Sequence, residues 1–105
     1  MIDMIYKNFE TIKKDNDKVI IDFWAEWCQP CKFFSPIFEA SARKHSDILH
    51  VKVDVDNNSE LSQIFNIVSL PSIVALEKGK IVKFDVGARG PVELELFIKQ
   101  SFGAE

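Results

Sequence analysis

Two cysteines and two histidines are all this chain of 105 residues holds, and the shortage excludes several classes at once. Two thiols cannot build the disulfide lattice of a small secreted scaffold. A structural zinc centre ordinarily takes four ligands, and His45 and His50 stand well away from Cys28 and Cys31 and show no metal or triad spacing. Glycine and proline number four each, too few for a flexible linker, and no repeat or low-complexity stretch appears. There is no basic block: 13 Lys and Arg face 16 Asp and Glu, a net charge of -3, which points away from nucleic acid and anionic membranes. No apolar run approaches the roughly 20 residues of a membrane span. Met1-Ile2-Asp3-Met4-Ile5 lacks the cationic start and long apolar stretch of a secretory signal. These absences predict an intracellular, cytoplasmic protein. Hydrophobic residues are 47% and charged residues 28%, the balance of one globular domain over 1–105 with its own core.

What is present centres on Trp27-Cys28-Gln29-Pro30-Cys31-Lys32. Before it, Val19-Ile20-Ile21-Asp22-Phe23-Trp24 reads as a buried strand; after it comes a helical pattern. A Cys-x-x-Cys pair at a strand-to-helix junction is a redox signature. With Cys28 capping the helix and Cys31 in its first turn, the α-carbons stand roughly 5 Å apart, within reach of a disulfide. The N-terminal N–H groups of the helix favour thiolate over thiol. Cys28, at the tip, gains most and is expected to be the more exposed. Cys31 lies on the stripe of Phe34 and Phe38 and is expected to be shielded. Cys28 is therefore the attacking thiol and Cys31 the resolving one. Pro30 suits a first turn, which needs no N–H from it.

Along the chain, residues 2–5 suggest a short strand. Asn8 is placed to cap a helix with Ile5, Phe9 and Ile12 on one side. Residues 18–24 form the central strand, and a second helix runs from Cys28 to Lys44 with a kink expected at Pro36. Leu49–Val55 alternates like a strand with two unlike faces. Asn57 and Glu60 resemble a capping box opening a short helix with Leu61, Ile64 and Phe65 inward; Asn66 ends it in a left-handed conformation. Strands 72–77 and 80–86 meet at Lys78-Gly79, a link short enough to demand an antiparallel hairpin. Pro91 starts a last helix striped by Leu94, Phe97, Ile98 and Phe102, with Glu95 and Lys99 paired outside. The order β-α-β-α-β-α-β-β-α predicts an α/β fold: a mixed five-stranded sheet flanked by four helices.

Asp22 sits inside an apolar strand. Burial raises a carboxyl pKa toward neutrality, as a proton shuttle requires; a hydrogen-bonded structural Asp fits the position equally well. His45 and His50 are expected to be solvated, Trp24 to be core and Trp27 surface.

Over essentially its whole length the chain resembles the thioredoxin family. The resemblance rests on Asp22 through Lys32, then Pro36, Val53-Asp54-Val55-Asp56, Leu70-Pro71-Ser72 and Val86-Gly87-Ala88. It implies the thioredoxin fold and a dithiol carrier that reduces protein disulfides. It also implies recharging by a flavin-containing, NADPH-dependent thioredoxin reductase, with no cofactor bound to the chain itself. The resemblance makes Cys28 the nucleophile, Cys31 the resolving thiol, Asp22 the proton shuttle and Pro71 a cis proline facing the disulfide. It places Trp27, Gln29, Pro30, Leu70, Pro71, Gly87 and Ala88 at the docking surface for clients, and Lys52 near Asp22. On pattern alone, Lys52 reads equally as an exposed strand lysine. Three residues depart from the family: Gln29 replaces the usual Gly between the cysteines, and Ser69 and Ser72 flank the Leu70-Pro71 pair where Gly and Thr are usual. The expected activity is a monomeric protein-disulfide reductase. A disulfide oxidase or isomerase, and a binding subunit with incidental thiols, are the alternatives.

Overall fold

A computed structural model describes residues 2–103. The elements are β1 (Ile2–Asp3), α1 (Tyr6–Asp15), β2 (Lys18–Trp24), α2 (Gln29–Lys44), β3 (Leu49–Asp54), a 3-10 turn (Val55–Asn57), α3 (Ser59–Ile64), β4 (Ser72–Glu77), β5 (Lys80–Val86) and α4 (Pro91–Phe102). The five strands form one sheet in the order β1-β3-β2-β4-β5. The helical crossovers leave β1, β3 and β2 parallel. The β4–β5 hairpin lies antiparallel beside them, as its short connection requires: Lys78 and Gly79 both take positive φ, the geometry that matches strand twist in a two-residue turn.

β2 is covered on both faces, which explains its near-continuous apolar run. Val19, Ile21 and Phe23 pack with Phe9 and Ile12 of α1 and with Leu61 and Phe65 at α3. Ile20 packs with Phe34 and Phe38 of α2 and with Leu94, Phe97 and Ile98 of α4. Four helices thus cover the sheet in pairs. Among the described residues, no helix is long and apolar enough to cross a membrane.

Several local expectations are corrected. Asn8 lies inside α1, not at its cap; from there its Oδ1 accepts the Ile5 N–H at 2.8 Å. Ile5 and Ile64 are exposed, while Phe9, Ile12, Leu61 and Phe65 are buried. The residue preceding α3 is Asn58, not Asn57, whose side chain donates to Asp54 instead. Val55 belongs to the 3-10 turn and only residues 2–3 form the first strand. α2 starts from its cap Cys28 and runs to Lys44 with Pro36 inside it, as expected. Trp24 is half-buried, not fully in the core. Glu95 turns from Lys99 to His45 at 2.6 Å and Lys44 at 3.4 Å, bridging α4 to the end of α2. Neither histidine is solvated: His50 is buried, bonded to Ser41 and to the Ile48 carbonyl, and His45 is largely covered in its bond with Glu95. Asn66 does adopt a positive φ.

Candidate active site

β2 ends at Trp24, and the chain turns through Ala25, Glu26 and Trp27 into α2, whose N-cap is Cys28. The Cys28 N–H donates to the Ala25 carbonyl, which fixes the turn. Cys28 and Cys31 are joined as a disulfide with their α-carbons 5.3 Å apart, and no free cysteine is left. The Cys31 N–H points at Cys28 Sγ from 3.2 Å. That N–H is one of the unpaired donors of the helix terminus, and after reduction it would favour charge on Cys28. The disulfide packs on Ala25, with Trp24, Val55 and Leu70 around it.

The expected contrast in exposure is small: Cys28 is 5% exposed and Cys31 2%. Both cysteines of the disulfide pack under Ala25, Trp24, Val55 and Leu70. What separates them is which space each borders. Cys28 lines an open groove with Trp27, Gln29, Pro30 and Leu70 on its near wall; Ser59, Ser62 and Gln63 of the α3 region form the far wall, with Val68 and Ser69 beside them. Cys31 lines a small cleft on the other side with Glu26, Lys32, Ser35 and Lys52. Sequence reasoning missed the far wall, since its residues carry no motif and reach the site only through the fold.

Trp27 is 67% exposed, and its indole N–H donates to Asp56 at 3.0 Å, which fixes the ring at the groove edge. The Leu70–Pro71 peptide is cis. The Pro71 carbonyl accepts the Gly87 N–H at 2.8 Å, and Gly87 has a φ of 102°, a conformation suited to glycine. Ser72 donates to the Ser69 carbonyl at 2.6 Å, so the two departures from the family pattern bond each other across the proline. Pro71, Gly87 and Ala88 do not line the groove itself; Ala88 packs against the α2/α4 core.

Asp22 lies wholly buried in β2, and neither carboxylate oxygen has a hydrogen-bond partner among the described residues. Burial lifts its pKa to about 7, against a smaller opposing pull from Lys52. The register sets Lys52 beside it on β3. Lys52 is also mostly covered, and its ammonium donates to Ser35 at 2.7 Å and lies 5.2 Å from the Trp24 ring centre. The structure therefore brings Asp22, Lys52 and Ser35 together, and Lys52 shares its cleft with Cys31. Ser35 escaped the sequence reading, although its position one turn after Cys31 was visible. Among the described residues, no group of three His, Cys, Asp or Glu side chains is placed to hold a metal ion.

A disulfide between cysteines three apart at a helix N-terminus, bordering an open groove, in a sheet that buries a carboxyl of raised pKa, fits a thiol–disulfide oxidoreductase. The thioredoxin family model matches residues 2–100. A thioredoxin of Mycoplasma genitalium is 44% identical over 81 residues, 77% of this chain and 79% of that protein. A putative thioredoxin 2 of Streptomyces coelicolor is 39% identical over 83% of this chain, which spans 65% of that protein's length. In a bifunctional thioredoxin reductase/thioredoxin of Mycobacterium leprae, 40% identity covers 82% of this chain and 19% of the relative. The solved structure of Plasmodium falciparum thioredoxin superimposes with a TM-score of 0.88 at 34% identity, over 94% of this chain and 96% of that one. The chain belongs to the thioredoxin family.

Proposed function

We propose that this oxidoreductase works as a protein-disulfide reductase, with Cys28 as the attacking thiol. The observation that carries the assignment is the orientation of the pair: Cys28 caps α2, takes the Cys31 N–H and borders the open groove. In the reduced protein the Cys28 thiolate attacks one sulfur of a client disulfide. The other client sulfur leaves as thiolate, and a mixed disulfide forms. Cys31 then loses its proton to the Asp22 carboxylate and attacks Cys28 Sγ. The client's second sulfur departs, two electrons have passed to the client, and the Cys28–Cys31 disulfide is restored. Lys52 supports Asp22 as its neighbouring cation. Trp27, Gln29, Pro30 and Leu70 dock the client from the groove, with Pro71, Gly87 and Ala88 completing the surface beside it.

The oxidised pair must be reduced again after each turnover. A thioredoxin reductase, drawing on NADPH through FAD, supplies the electrons; the Mycobacterium leprae relative joins two such activities in one name. A dithiol with this duty suits a reducing compartment, so we place a monomer in the cytoplasm.

An insulin-disulfide reduction assay with a thioredoxin reductase and NADPH tests the function; absence of turnover by the wild type would overturn it. Cys31→Ser is expected to accumulate stable mixed disulfides with clients, and Cys28→Ser to form none. Equal trapping by both variants would reverse the assignment of roles. A redox equilibrium with dithiothreitol separates reductase from oxidase. The reductase reading expects a potential near about -270 mV, a value characteristic of thioredoxin itself and taken over from it, and a value near about -120 mV would mark an oxidase.

A further inference from the structure

Lys52 is the cross-strand neighbour of Asp22, on strands whose backbones lie roughly 4.8 Å apart. An ammonium there would ordinarily bond the carboxylate. It does not: among the described residues both Asp22 oxygens lack a partner, and the one ion pair of Lys52 is with Glu39 at 3.9 Å. Three groups hold the ammonium elsewhere. Its Nζ donates to Ser35 Oγ at 2.7 Å, lies over the Trp24 ring at 5.2 Å and faces Glu39. The Ser35 hydroxyl in turn donates to Glu39 Oε2 at 3.3 Å. Its only proton is thereby committed to the carboxylate, and a lone pair is turned to the lysine. Lys52, Ser35 and Glu39 form a directed chain that runs from the buried sheet to a half-exposed carboxylate on α2.

We propose that Ser35 is a positioning residue for the thiol–disulfide reaction: it draws the Lys52 ammonium toward Glu39 and so leaves the Asp22 carboxyl unpaired and free to exchange a proton with Cys31. The proposal rests on the reading of Asp22 as the acceptor of the Cys31 proton. The transfer leaves a carboxylic acid at Asp22 and a thiolate at Cys31, so one negative charge moves and none is created. An ammonium bonded to Asp22 would stabilise the carboxylate and oppose that step. Held by Ser35, the same ammonium lines the cleft that Cys31 borders, where it favours the thiolate that forms. The other titratable groups of this face are Glu26 and Lys32, which line the cleft, Glu39, His50 two residues before Lys52 on β3, Lys83 over the Phe97 ring, and Asp85 beyond Ile73, which pairs with Arg89. β4 sets apolar Ile73 beside Asp22, and α4 buries Leu94, Phe97 and Ile98 on this face without a charge.

The test is a carbon-13 titration of the Asp22 carboxyl in the oxidised protein, where neither cysteine titrates. It compares wild type, Ser35→Ala, Lys52→Met and the double variant. Ser35→Ala releases the ammonium toward Asp22 and is expected to lower the midpoint by about one pH unit, the effect of a cation brought within about 4–6 Å. Lys52→Met is expected to raise it. The double variant is expected to match Lys52→Met, because Ser35 acts only through the lysine. An unchanged midpoint in Ser35→Ala, or a further shift when Ser35→Ala is added to Lys52→Met, overturns the proposal. The pH profile of client reduction is recorded on the same variants and on Asp22→Asn. The Ser35→Ala profile is expected to move with the carboxyl midpoint. A profile left unchanged by Asp22→Asn overturns the shuttle reading and with it the part of Ser35 in the reaction, whereas the titration reports the tether by itself.

Discussion

On the α1/α3 side of the sheet, β2 and β3 contribute only apolar residues, Val19, Ile21, Phe23, Val51 and Val53, and the buried Ser72 of β4 on that side is satisfied by the Ser69 carbonyl. On the α2/α4 side the same strands contribute Ile20, Asp22, His50 and Lys52. The two faces come from adjacent residues of one pair of strands, since side chains alternate across a sheet. Their difference separates two jobs. The first face stabilises mainly by apolar burial. The second takes up groups that cost free energy to bury, Asp22 above all, because neither of its oxygens is bonded to any described residue. Of these groups, Lys52 shares a cleft with Cys31, whereas His50 is bonded to Ser41 in the C-terminal half of α2. The groups proposed to take part in the reaction therefore belong to the face that is the less favourable for stability.

The largest effect that would break this contrast is on the apolar face. Phe65 is buried against Phe9 at 5.6 Å and Phe23 at 5.3 Å between ring centres. Phe65→Ala leaves a cavity among aromatic rings and is expected to cost about 3–5 kcal/mol in denaturant unfolding. Under conditions where the variant stays folded, its reduction potential is expected to match wild type. A changed potential would show that the apolar face also tunes the disulfide.

Asp22→Asn should do the opposite. In the folded protein the Asp22 carboxyl keeps its proton to about pH 7, whereas the unfolded chain releases it near 3.8. Between those values the unfolded state binds fewer protons, so wild-type stability falls as pH rises, and the loss is complete above about pH 7. The shift of roughly 3 units corresponds to a ceiling on the order of 4 kcal/mol. Asp22→Asn is expected to be stabilising relative to wild type at pH 8, with the gain shrinking toward pH 4. Reading the difference between the two pH values cancels the constant effect of exchanging one buried polar group for another. An equal effect of the substitution at both pH values would mean that Asp22 is ionised in the folded state throughout.

How far the sequence anticipated this arrangement follows from what alternates and what does not. β2 and the cysteine turn were legible because an apolar run, a proline at the first helical turn and a Cys-x-x-Cys spacing all agree there. The hairpin was legible because Lys78-Gly79 leaves no room for any other connection. The faces of β3 were not. Val51 and Val53 alternate with His50 and Lys52, a pattern that reads as one buried and one solvated face, yet α2 covers the polar side as well. His50 is 4% exposed there because Ser41 and the Ile48 carbonyl satisfy its ring. Such partners come from a different element and leave no periodic trace. The same holds for Ser35 on Lys52, and for the swing of Glu95 from its own helix to the end of α2. Helix caps shifted by a residue or more at Asn8 and Asn57, because Asn side chains bond local backbone from several positions.

The smallest effect concerns that buried histidine, the second polar group of the α2/α4 face. Its Nδ1 faces the Ile48 carbonyl at 2.9 Å, and a carbonyl only accepts, so Nδ1 carries the proton. Nε2 of the neutral ring then accepts from the Ser41 hydroxyl at 2.9 Å. Burial holds the His50 pKa below 6.5, partly offset by the bond to Ile48 and deepened by His45. As pH falls below 6.5 the unfolded chain takes up a proton that the folded protein refuses, so this residue lowers stability in acid, the reverse of Asp22. Ser41→Ala removes the donor and leaves Nε2 buried and unbonded, which is expected to cost about 1–2 kcal/mol at pH 7. Client reduction is expected to be unchanged, since neither Ser41 nor His50 borders the groove or the cleft beside the disulfide. Nitrogen-15 spectra of the imidazole check the premise directly: wild type should show the proton on Nδ1. A proton on Nε2 would make Ser41 the acceptor and leave Nδ1 facing the Ile48 carbonyl with no proton to donate, which would overturn the assigned tautomer. A loss of activity larger than the loss of stability would place the histidine in the reaction, and the division of labour within this face would need to be redrawn.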